Sequence, residues 1–474
     1  MISNPPSTLP PIQKQNIRAF GLRQRAEKFK LPLLLMLAHI PLGVFLYKAS
    51  SLALLHPLAV FFIGFRRAMN PEEKLERVAP IIIYLIGSEV LWRMAQIPIF
   101  WESGKYVSAA IMIIALVRRR CWKIPPLALL YFVFLIPSCI MTISNRPLHS
   151  VRDMLSFNMS GPFLLFISCW FCSYLKVDWE KIKTYFFTLI TPLMSVAVTT
   201  LFYTVTAPVI TFNTESNHAT SGGFGPNQVS AMLGLGAFLC ISAFLIFKNN
   251  LQENTVLGLL TVLFAAQSVM TFSRGGMYNA LGAAFAVFLL RMLNPGEGLK
   301  RLLPIVALTI FFLAVIFPFL NDFTGGKLEL RFMESDPTNR AGLVMADLEI
   351  FAEHPFFGVG VGESFFYYER MLNQIVGNHT EFSRMISEHG MFGIAAMVCL
   401  ILIFVSNLIR QTSGAGKALL TGLFVWSSLF MFNAGMRLAA PSFILALCYL
   451  KIGNFPNKRK RIDFVKRKLR TGKR

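Results

Sequence analysis

The chain has 474 residues, of which 54% are hydrophobic and only 15% are charged, and its mean hydropathy is +0.56. Soluble domains carry about 25% charged residues, so the composition excludes a single soluble core and indicates a lipid environment. The formal net charge of +22 could suggest a nucleic-acid-binding protein. The basic residues, however, lie in short connections between apolar segments and in the two tails, which argues against that class.

Apolar segments close to the roughly 20 residues that cross a bilayer recur from Leu31 to Leu450. We predict fourteen of them, near residues 31–47, 51–65, 79–97, 104–117, 124–143, 160–175, 184–205, 227–247, 255–272, 275–290, 302–320, 391–409, 418–433 and 437–450. The predicted fold class is therefore all-α, a polytopic transmembrane helix bundle of about 12 to 14 spans. The short segments near 51–65 and 104–117 are candidates for re-entrant or interfacial helices.

Alternate connections and both tails contain most of the Lys and Arg residues, and the positive-inside rule places them in the cytoplasm. The predicted organisation is a basic tail at 1–30, eleven spans within 31–320, one large outer loop with amphipathic helices at 321–390, three spans within 391–450, and a basic tail at 451–474. We expect the segment from Leu31 to be an anchor rather than a cleaved signal. The C-terminal tail is expected to contact anionic membrane lipids and no nucleic acid.

Two features precede the loop on the outer side. Glu89 and Arg93 lie one helical turn apart in an outer half-span, where they could line a cavity or simply satisfy one another. The sequence GGFGPNQ, residues 222–228 with Asn227 near its end, sits at the outer start of a span. It could shape a substrate entrance, and a turn with a helix start explains it equally well.

The turn Ser273-Arg274-Gly275-Gly276 joins two apolar segments. Burying Arg274 at the lipid boundary is costly unless the guanidinium meets an anion or opens into a cavity. Snorkelling of the side chain to the interface is the alternative. The two glycines favour a functional role, because they permit close backbone approach and a rigid rim.

In the long loop, residues 340–353 show a helical apolar stripe of Leu343, Val344, Leu348, Ile350 and Phe351, with Asp347, Glu349 and Glu353 on the polar side. This predicts an interface-lying helix that ends at His354-Pro355. Gly358, Gly360 and Gly362 follow and predict a turn, because no strand precedes them as a dinucleotide-binding loop would require.

Asn378 and Glu381 have the spacing of a helix N-cap and its reciprocal partner, which would place His379 in the first helical turn. The positive helix terminus would keep the imidazole neutral, as a general base requires. A histidine that bonds the loop to a helix end fits the local sequence slightly better. His389-Gly390 has the pattern of an ordinary helix C-terminus.

Taken in order, SRGG between two spans, NRAGL, HPFFGVGVG and NHTEFSRMISEHGMFG resemble the O-antigen ligase and O-antigen polymerase superfamily over residues 220–400. The resemblance implies a bacterial inner-membrane enzyme with cytoplasmic termini, a periplasmic catalytic loop, and a donor glycan linked to undecaprenyl pyrophosphate. It also implies that Arg274 and Arg340 bind the diphosphate and that His379 assists the acceptor. The acceptor stays open between a glycan, a lipid A-core and a protein.

The resulting prediction is an inverting, metal-independent glycosyltransferase without a cofactor, since arginines can carry the charge of the leaving diphosphate. Glu334-Ser335-Asp336 is the one acidic group of the loop that resembles a metal motif. Further candidates for cavity-lining residues are Arg437, Arg384, Arg370, Glu89, Arg93 and Asn227. A transporter or flippase of the lipid-linked glycan is the alternative function, and a membrane scaffold is a third.

Overall fold

A computed structural model describes residues 11–293, 298–334, 340–372 and 380–453. These residues are almost entirely helical. The helices of the first half are α1 (Pro11–Lys48), α2 (Ser50–Ala53), α3 (Leu55–Met69), α4 (Leu75–Met94), α5 (Ser103–Arg118), α6 (Pro126–Phe134), α7 (Ile136–Asn145), α8 (Leu148–Ser173), α9 (Trp179–Thr206) and α10 (Pro226–Ile246), with a 3-10 turn at Ala219–Ser221.

The second half continues with α11 (Leu251–Met270), α12 (Arg274–Met292), α13 (Gly298–Phe311), a π-helical turn at Phe312–Ile316, α14 (Phe317–Phe323), α15 (Lys327–Met333), α16 (Arg340–Glu353), α17 (Ser364–Leu372), α18 (Glu381–Arg410), α19 (Gly414–Ala434) and α20 (Ala439–Ala446), followed by a 3-10 turn at Leu447–Tyr449. Strands β1 (Lys176–Val177) and β2 (Lys451–Ile452) pair in parallel. The predicted all-α membrane bundle is therefore confirmed.

In the described part of the chain, eleven helices are long and apolar enough to cross a bilayer. They coincide with eleven of the fourteen predicted segments. The predicted spans at 79–97, 104–117 and 437–450 coincide with α4, the 16-residue α5 and the short helix at Ala439–Tyr449. α4 is 20 residues long but carries Glu89 and Arg93, and its inner turns are almost completely buried among other helices.

Glycines allow α10 and α12 to pack closely against each other. Gly276 in the first turn of α12 lies against the backbone of Ser230 in α10, and Gly234 in turn faces the Gly276 carbonyl. A Cβ atom on either glycine would collide with that backbone. The glycines of the SRGG turn therefore serve helix packing in the membrane, where interfaces favour small side chains.

Connections rich in basic residues meet at one end of the bundle. Arg119 donates to the carbonyl oxygens of Arg67, Ala68, Asn70 and Glu73 in the α3–α4 connection. Lys183 pairs with Glu253 at 2.8 Å, and β1 pairs with β2. The Lys123 N–H also donates to the Tyr174 hydroxyl and links the two groups of contacts. Four of the connections predicted to be cytoplasmic and the start of the C-terminal tail therefore lie at a common end, as the alternating topology requires.

The outer loop packs onto the bundle rather than extending from it. α16 is helical as predicted, but its buried side is formed by Leu343, Ala346 and Ile350, with Asp347 at 0% exposure, whereas Leu348 is exposed. The expectation that Asp347 lies on the polar, solvent-facing side is wrong. Its carboxylate accepts hydrogen bonds from Tyr368 and from Ser387, at 2.6 Å for the latter, and these two partners offset the cost of burying the charge.

Candidate active site

The turn before Arg274 has a strained backbone. Phe272 is fully buried and has a φ of +57°, a value that L-residues with bulky side chains seldom adopt. Its ring stacks on Phe212 at a centroid distance of 5.7 Å. Ser273 donates from its hydroxyl to Asn227 Oδ1 at 2.7 Å, and its carbonyl accepts from Ser230. Strain of this kind persists only where the surroundings hold it, and it is frequent at functional sites.

Arg274 begins α12 and is half-buried. Its guanidinium donates to the carbonyl oxygen of Glu334, just after α15. Arg331, at 6% exposure, donates through Nε to the Phe272 carbonyl at 3.0 Å and lies 3.5 Å from the Glu334 carboxylate. Two guanidinium groups are thus brought to one turn. Burial lowers the pKa of Arg331, and the nearby charge of Arg274 lowers it further.

The family resemblance pairs Arg274 with Arg340, and the structure places Arg331 beside Arg274. Arg340 is the first residue of α16, and its side chain lies outside what the structure describes. His379 also lies outside the described residues. The roles expected of Arg340 and His379 therefore stay predictions. The sequence offered no signal that Arg331 lies beside Arg274, because the Phe272 carbonyl that it bonds belongs to a distant part of the chain.

A cavity of about 480 Å³ lies beside α18. Its lining residues come from α8, from the segment that includes α17, from the first turns of α18, and from the connection between α19 and α20: Asp153, Met154, Phe157, Asn158, Gly362, Ser364, Phe365, Phe366, Tyr368, Glu381, Arg384, Glu388, Gly435, Met436 and Arg437. Two of the residues predicted to line a cavity, Arg384 and Arg437, are among them. Arg370 is exposed and is not part of the lining.

Arg384 is the centre of a buried charged group in this cavity. It donates to Glu381 at 2.5 Å and to Glu388 at 2.6 Å, both on its own helix. Glu381 also accepts the Met436 N–H at 3.2 Å, and Glu388 accepts the Ser364 hydroxyl at 2.8 Å. The expectation that Glu381 completes a capping box with Asn378 is wrong, because α18 begins at Glu381 with Thr380 as its N-cap, and Asn378 lies outside the described residues.

The connection between α19 and α20 joins two groups of buried charges. Met436 contacts Glu381, and the Ala439 N–H donates to Glu89 at 2.7 Å. The predicted Glu89–Arg93 pair is confirmed at 2.7 Å. Arg93 also donates to Gln228 Oε1 at 3.2 Å, which fixes the start of α10 next to Asn227. Glu89 and Arg93 therefore satisfy each other and support the site, and they are not among the lining residues of the cavity.

Sequence analysis missed the neighbouring pair of Glu102 and Lys105. Lys105 is 1% exposed, bonds Glu102 at 2.5 Å and donates to Ser160 at 3.0 Å. The signal was a charged pair at i,i+3 spacing at the start of an otherwise apolar helix. Such a pair is costly within a membrane protein unless both charges meet each other.

The glycine turn packs against the kink in α18. Gly358, Gly360 and Gly362 all have positive φ, as a turn requires, and the N–H groups of Val359 and Gly360 donate to Ser387 and Glu388. The adjacent Gly390 has a φ of +60° and breaks the helix, which agrees with the predicted C-terminus there. The His389 side chain, however, is buried and contacts the Ser138 hydroxyl on α7 rather than capping the helix.

An ion pair anchors the same loop to the bundle. Arg146 bonds both Glu363 oxygens, at 2.8 and 2.6 Å, and its guanidinium stacks over Phe366 at 4.1 Å. The hydrogen bonds that Arg146 donates to Glu363 raise the pKa of Arg146. Burial, with the neighbouring Asp347, raises the pKa of Tyr368. In the connection between α19 and α20, burial lowers the pKa of Arg437, and Arg384 acts in the same direction.

Among the described residues, no group of three or more His, Cys, Asp or Glu side chains could hold a metal ion. Of the predicted acidic group, Glu334 meets Arg331, whereas Ser335 and Asp336 lie outside the described ranges. The arrangement instead offers guanidinium groups at the Arg274 turn and paired charges in the cavity. Guanidinium groups are suited to phosphate oxygens, because they donate two parallel hydrogen bonds.

The fold is that of a polytopic helical membrane protein. Residues of its long loop contribute both to the arginine cluster at the Arg274 turn and to the charged cavity. Residues 259–398 match the family model described as O-antigen ligase, which confirms the resemblance seen in the sequence. The matched segment includes Arg274, Arg331 and Arg384. A comparison with curated proteins finds no significant match. The family match supports a membrane enzyme of the ligase or polymerase type that acts on lipid-linked glycans.

Proposed function

We propose that this protein transfers a glycan from undecaprenyl pyrophosphate to an acceptor hydroxyl at the periplasmic face of a bacterial inner membrane. The observation that carries the proposal is the convergence of Arg274 and Arg331 at one strained turn, within the segment that matches O-antigen ligases. Two guanidinium groups at one turn offer planar donors that suit the oxygens of a phosphate group. A lipid-linked diphosphate is the phosphate ligand expected at the membrane boundary.

Arg274 is proposed to bind the diphosphate, with Arg340 as its predicted second ligand. Arg331 is proposed to hold Arg274 in position, because it contacts the carbonyl of Phe272 before the arginine and the carboxylate of Glu334 beyond it. Guanidinium groups stay charged at any relevant pH and donate two parallel hydrogen bonds to phosphate oxygens. They can therefore stabilise the charge that develops on the leaving group without requiring a metal ion.

The proposed reaction is a single displacement. The acceptor oxygen forms a bond to the anomeric carbon while the bond from that carbon to the diphosphate oxygen breaks, so the configuration inverts. The electron pair leaves with undecaprenyl pyrophosphate. The acceptor proton passes to His379, which acts as general base in its neutral form. The same chemistry serves a glycan, a lipid A-core or a protein as the acceptor.

Purified protein in lipid nanodiscs, supplied with an undecaprenyl-pyrophosphate glycan and acceptor in the presence of EDTA, tests the proposal. We expect release of undecaprenyl pyrophosphate together with a glycosylated acceptor. Arg274→Lys and Arg340→Lys should each reduce transfer by about tenfold or more, because lysine keeps the charge but loses the planar fork. Movement of intact donor across the bilayer without cleavage would instead identify a flippase, and loss of activity with EDTA would refute the metal-independent reaction.

A further inference from the structure

The cavity beside α18 combines aromatic walls with internally compensated charges. Phe157, Phe365 and Phe366 contribute rings to its lining, and the Arg437 guanidinium lies over the Phe157 ring at 5.6 Å. With a volume of about 480 Å³, the cavity falls in the range of sites for small ligands, which combine apolar walls with a few fixed polar groups.

The charges inside the cavity do not favour an anion. Arg384 is bonded to two carboxylates at 2.5 and 2.6 Å, so its positive charge is already compensated. The same carboxylates accept hydrogen bonds from Met436 N–H and the Ser364 hydroxyl, which fix their orientation. A carboxylate oxygen has a second lone pair with which it can accept a bond from a ligand hydroxyl. The lining therefore offers oriented acceptors and donors with little net charge.

This chemistry matches an uncharged sugar. The C–H face of a pyranose ring is apolar and packs on an aromatic face, while its hydroxyl groups both donate and accept hydrogen bonds. A diphosphate would be a poor occupant, because Glu381 and Glu388 would repel it. A lipid chain would be a poor occupant as well, because it would remove water from buried charges without replacing the hydrogen bonds.

The position of the cavity links it to the Arg274 turn. The end of α19 and the connection after it contact both places. Asn433 lies beside Gly275, where an added Cβ would be 3.3 Å from its Cγ atom, and the Cα of Gly435 faces Glu381 in the cavity, where an added Cβ would be 3.0 Å from Oε2. One short segment thus borders both the residue after Arg274 and the wall of the cavity. The residue after Arg274 and the cavity wall therefore lie at the two ends of the same short segment, residues 433–435.

We propose that the cavity is a saccharide subsite that binds an uncharged sugar residue of the glycan substrate, with Phe157 and Arg437 as specificity-determining residues. The inference rests on the proposed glycan transfer and adds the binding site for the sugar. The sugar can come from the donor glycan or from a glycan acceptor, and both present the same ring chemistry to these side chains.

Binding measurements without turnover test the subsite. The probes are the free oligosaccharide repeat, released from its lipid pyrophosphate by mild acid, and inorganic pyrophosphate, each titrated into labelled protein in nanodiscs. Phe157→Ala and Arg437→Gln should each weaken oligosaccharide binding by about tenfold, which corresponds to about 1.4 kcal/mol, and leave pyrophosphate binding unchanged. Arg274→Lys should weaken pyrophosphate binding and leave oligosaccharide binding unchanged.

Matched controls are Phe356→Ala and Arg370→Gln, which alter exposed residues of the loop that do not line the cavity. Phe157→Tyr keeps the aromatic face and should bind the oligosaccharide as the wild type does, which separates loss of the ring from misfolding. If intact lipid-linked donor displaces the oligosaccharide, the subsite binds a sugar of the donor. If the oligosaccharide and the intact donor bind at the same time, the subsite binds a sugar of the acceptor.

Unchanged oligosaccharide affinity in Phe157→Ala and Arg437→Gln, or no oligosaccharide binding by the wild type, would overturn the subsite. If these substitutions weaken oligosaccharide binding but pyrophosphate fails to bind the wild type, the subsite stands and the proposed diphosphate role of Arg274 fails. The two proposals are therefore tested separately: oligosaccharide binding tests the subsite, and pyrophosphate binding tests the diphosphate role of Arg274.

Discussion

Arg331→Lys is the most direct test of how the structure positions Arg274. Arg331 bonds the Phe272 carbonyl at 3.0 Å and lies 3.5 Å from the carboxylate of Glu334, whose carbonyl accepts from Arg274. Lysine keeps the charge, but a single ammonium on a flexible chain cannot reproduce both contacts of the planar group. We expect the strained turn to relax and the guanidinium of Arg274 to lose its fixed direction.

The magnitude follows from the lost contact. A hydrogen bond from a charged donor to a buried carbonyl contributes about 1.5–3 kcal/mol. If lysine recovers about half of this, the remaining loss raises the activation free energy by roughly 0.8–1.5 kcal/mol, and kcat/KM should fall by about four- to twelvefold. Arg331→Met removes both contacts, so its kcat/KM should fall by roughly a hundredfold.

The assay measures glycan transfer by wild type, Arg331→Lys, Arg274→Lys and the double variant, with pyrophosphate affinity measured in parallel. A positioning residue acts through Arg274, so Arg331→Lys should weaken pyrophosphate binding in the wild-type background. In the Arg274→Lys background it should change activity by less than about threefold. Arg370→Lys, at an exposed arginine, is the matched control. An equal loss in both backgrounds would refute the reasoning, because Arg331 would then act independently of Arg274.

Three further predictions concern the base, the helix crossing and the topology. His379→Ala and His379→Asn should both abolish transfer while pyrophosphate binding persists. In a transfer assay across pH, wild-type activity should fall in acid as the imidazole protonates. An active His379→Asn variant would show a structural role instead. Gly276→Ala should destabilise the protein by about 1–3 kcal/mol, because the new methyl group would collide with the Ser230 backbone. Gly258→Ala is the control and should melt like the wild type, because its Cβ would lie 3.6 Å from Leu308. Equal thermal midpoints for the two variants would contradict this prediction. In a variant lacking the seven native cysteines, cysteine reporters at Glu334 and Gln374 should react with an impermeant reagent from outside and one at Lys460 should not; a cytoplasmic Gln374 would overturn the assignment of the site.

Local spacing predicted the features whose cause is local. Glu89 and Arg93 are one helical turn apart on α4, so their ion pair needs only that helix to form. The turn at Gly358–Gly362 follows from glycines that accept positive φ. By contrast, the stripe assigned to α16 was partly wrong, because Asp347 is buried by Tyr368 and Ser387 from other helices.

The sequence by itself determined that this protein is a multi-span membrane helix bundle, because the thickness of a bilayer sets the length of each apolar segment and this length can be counted along the chain. It also identified Arg274 as a costly charge at a boundary. Only the tertiary structure decided that Arg331 lies beside Arg274, and that Arg384 lies in a cavity that Arg437 also lines. The physical reason is that contacts between distant residues depend on how each helix is rotated and crossed against its neighbours, and packing between buried faces sets these quantities, not the order of residues along one helix.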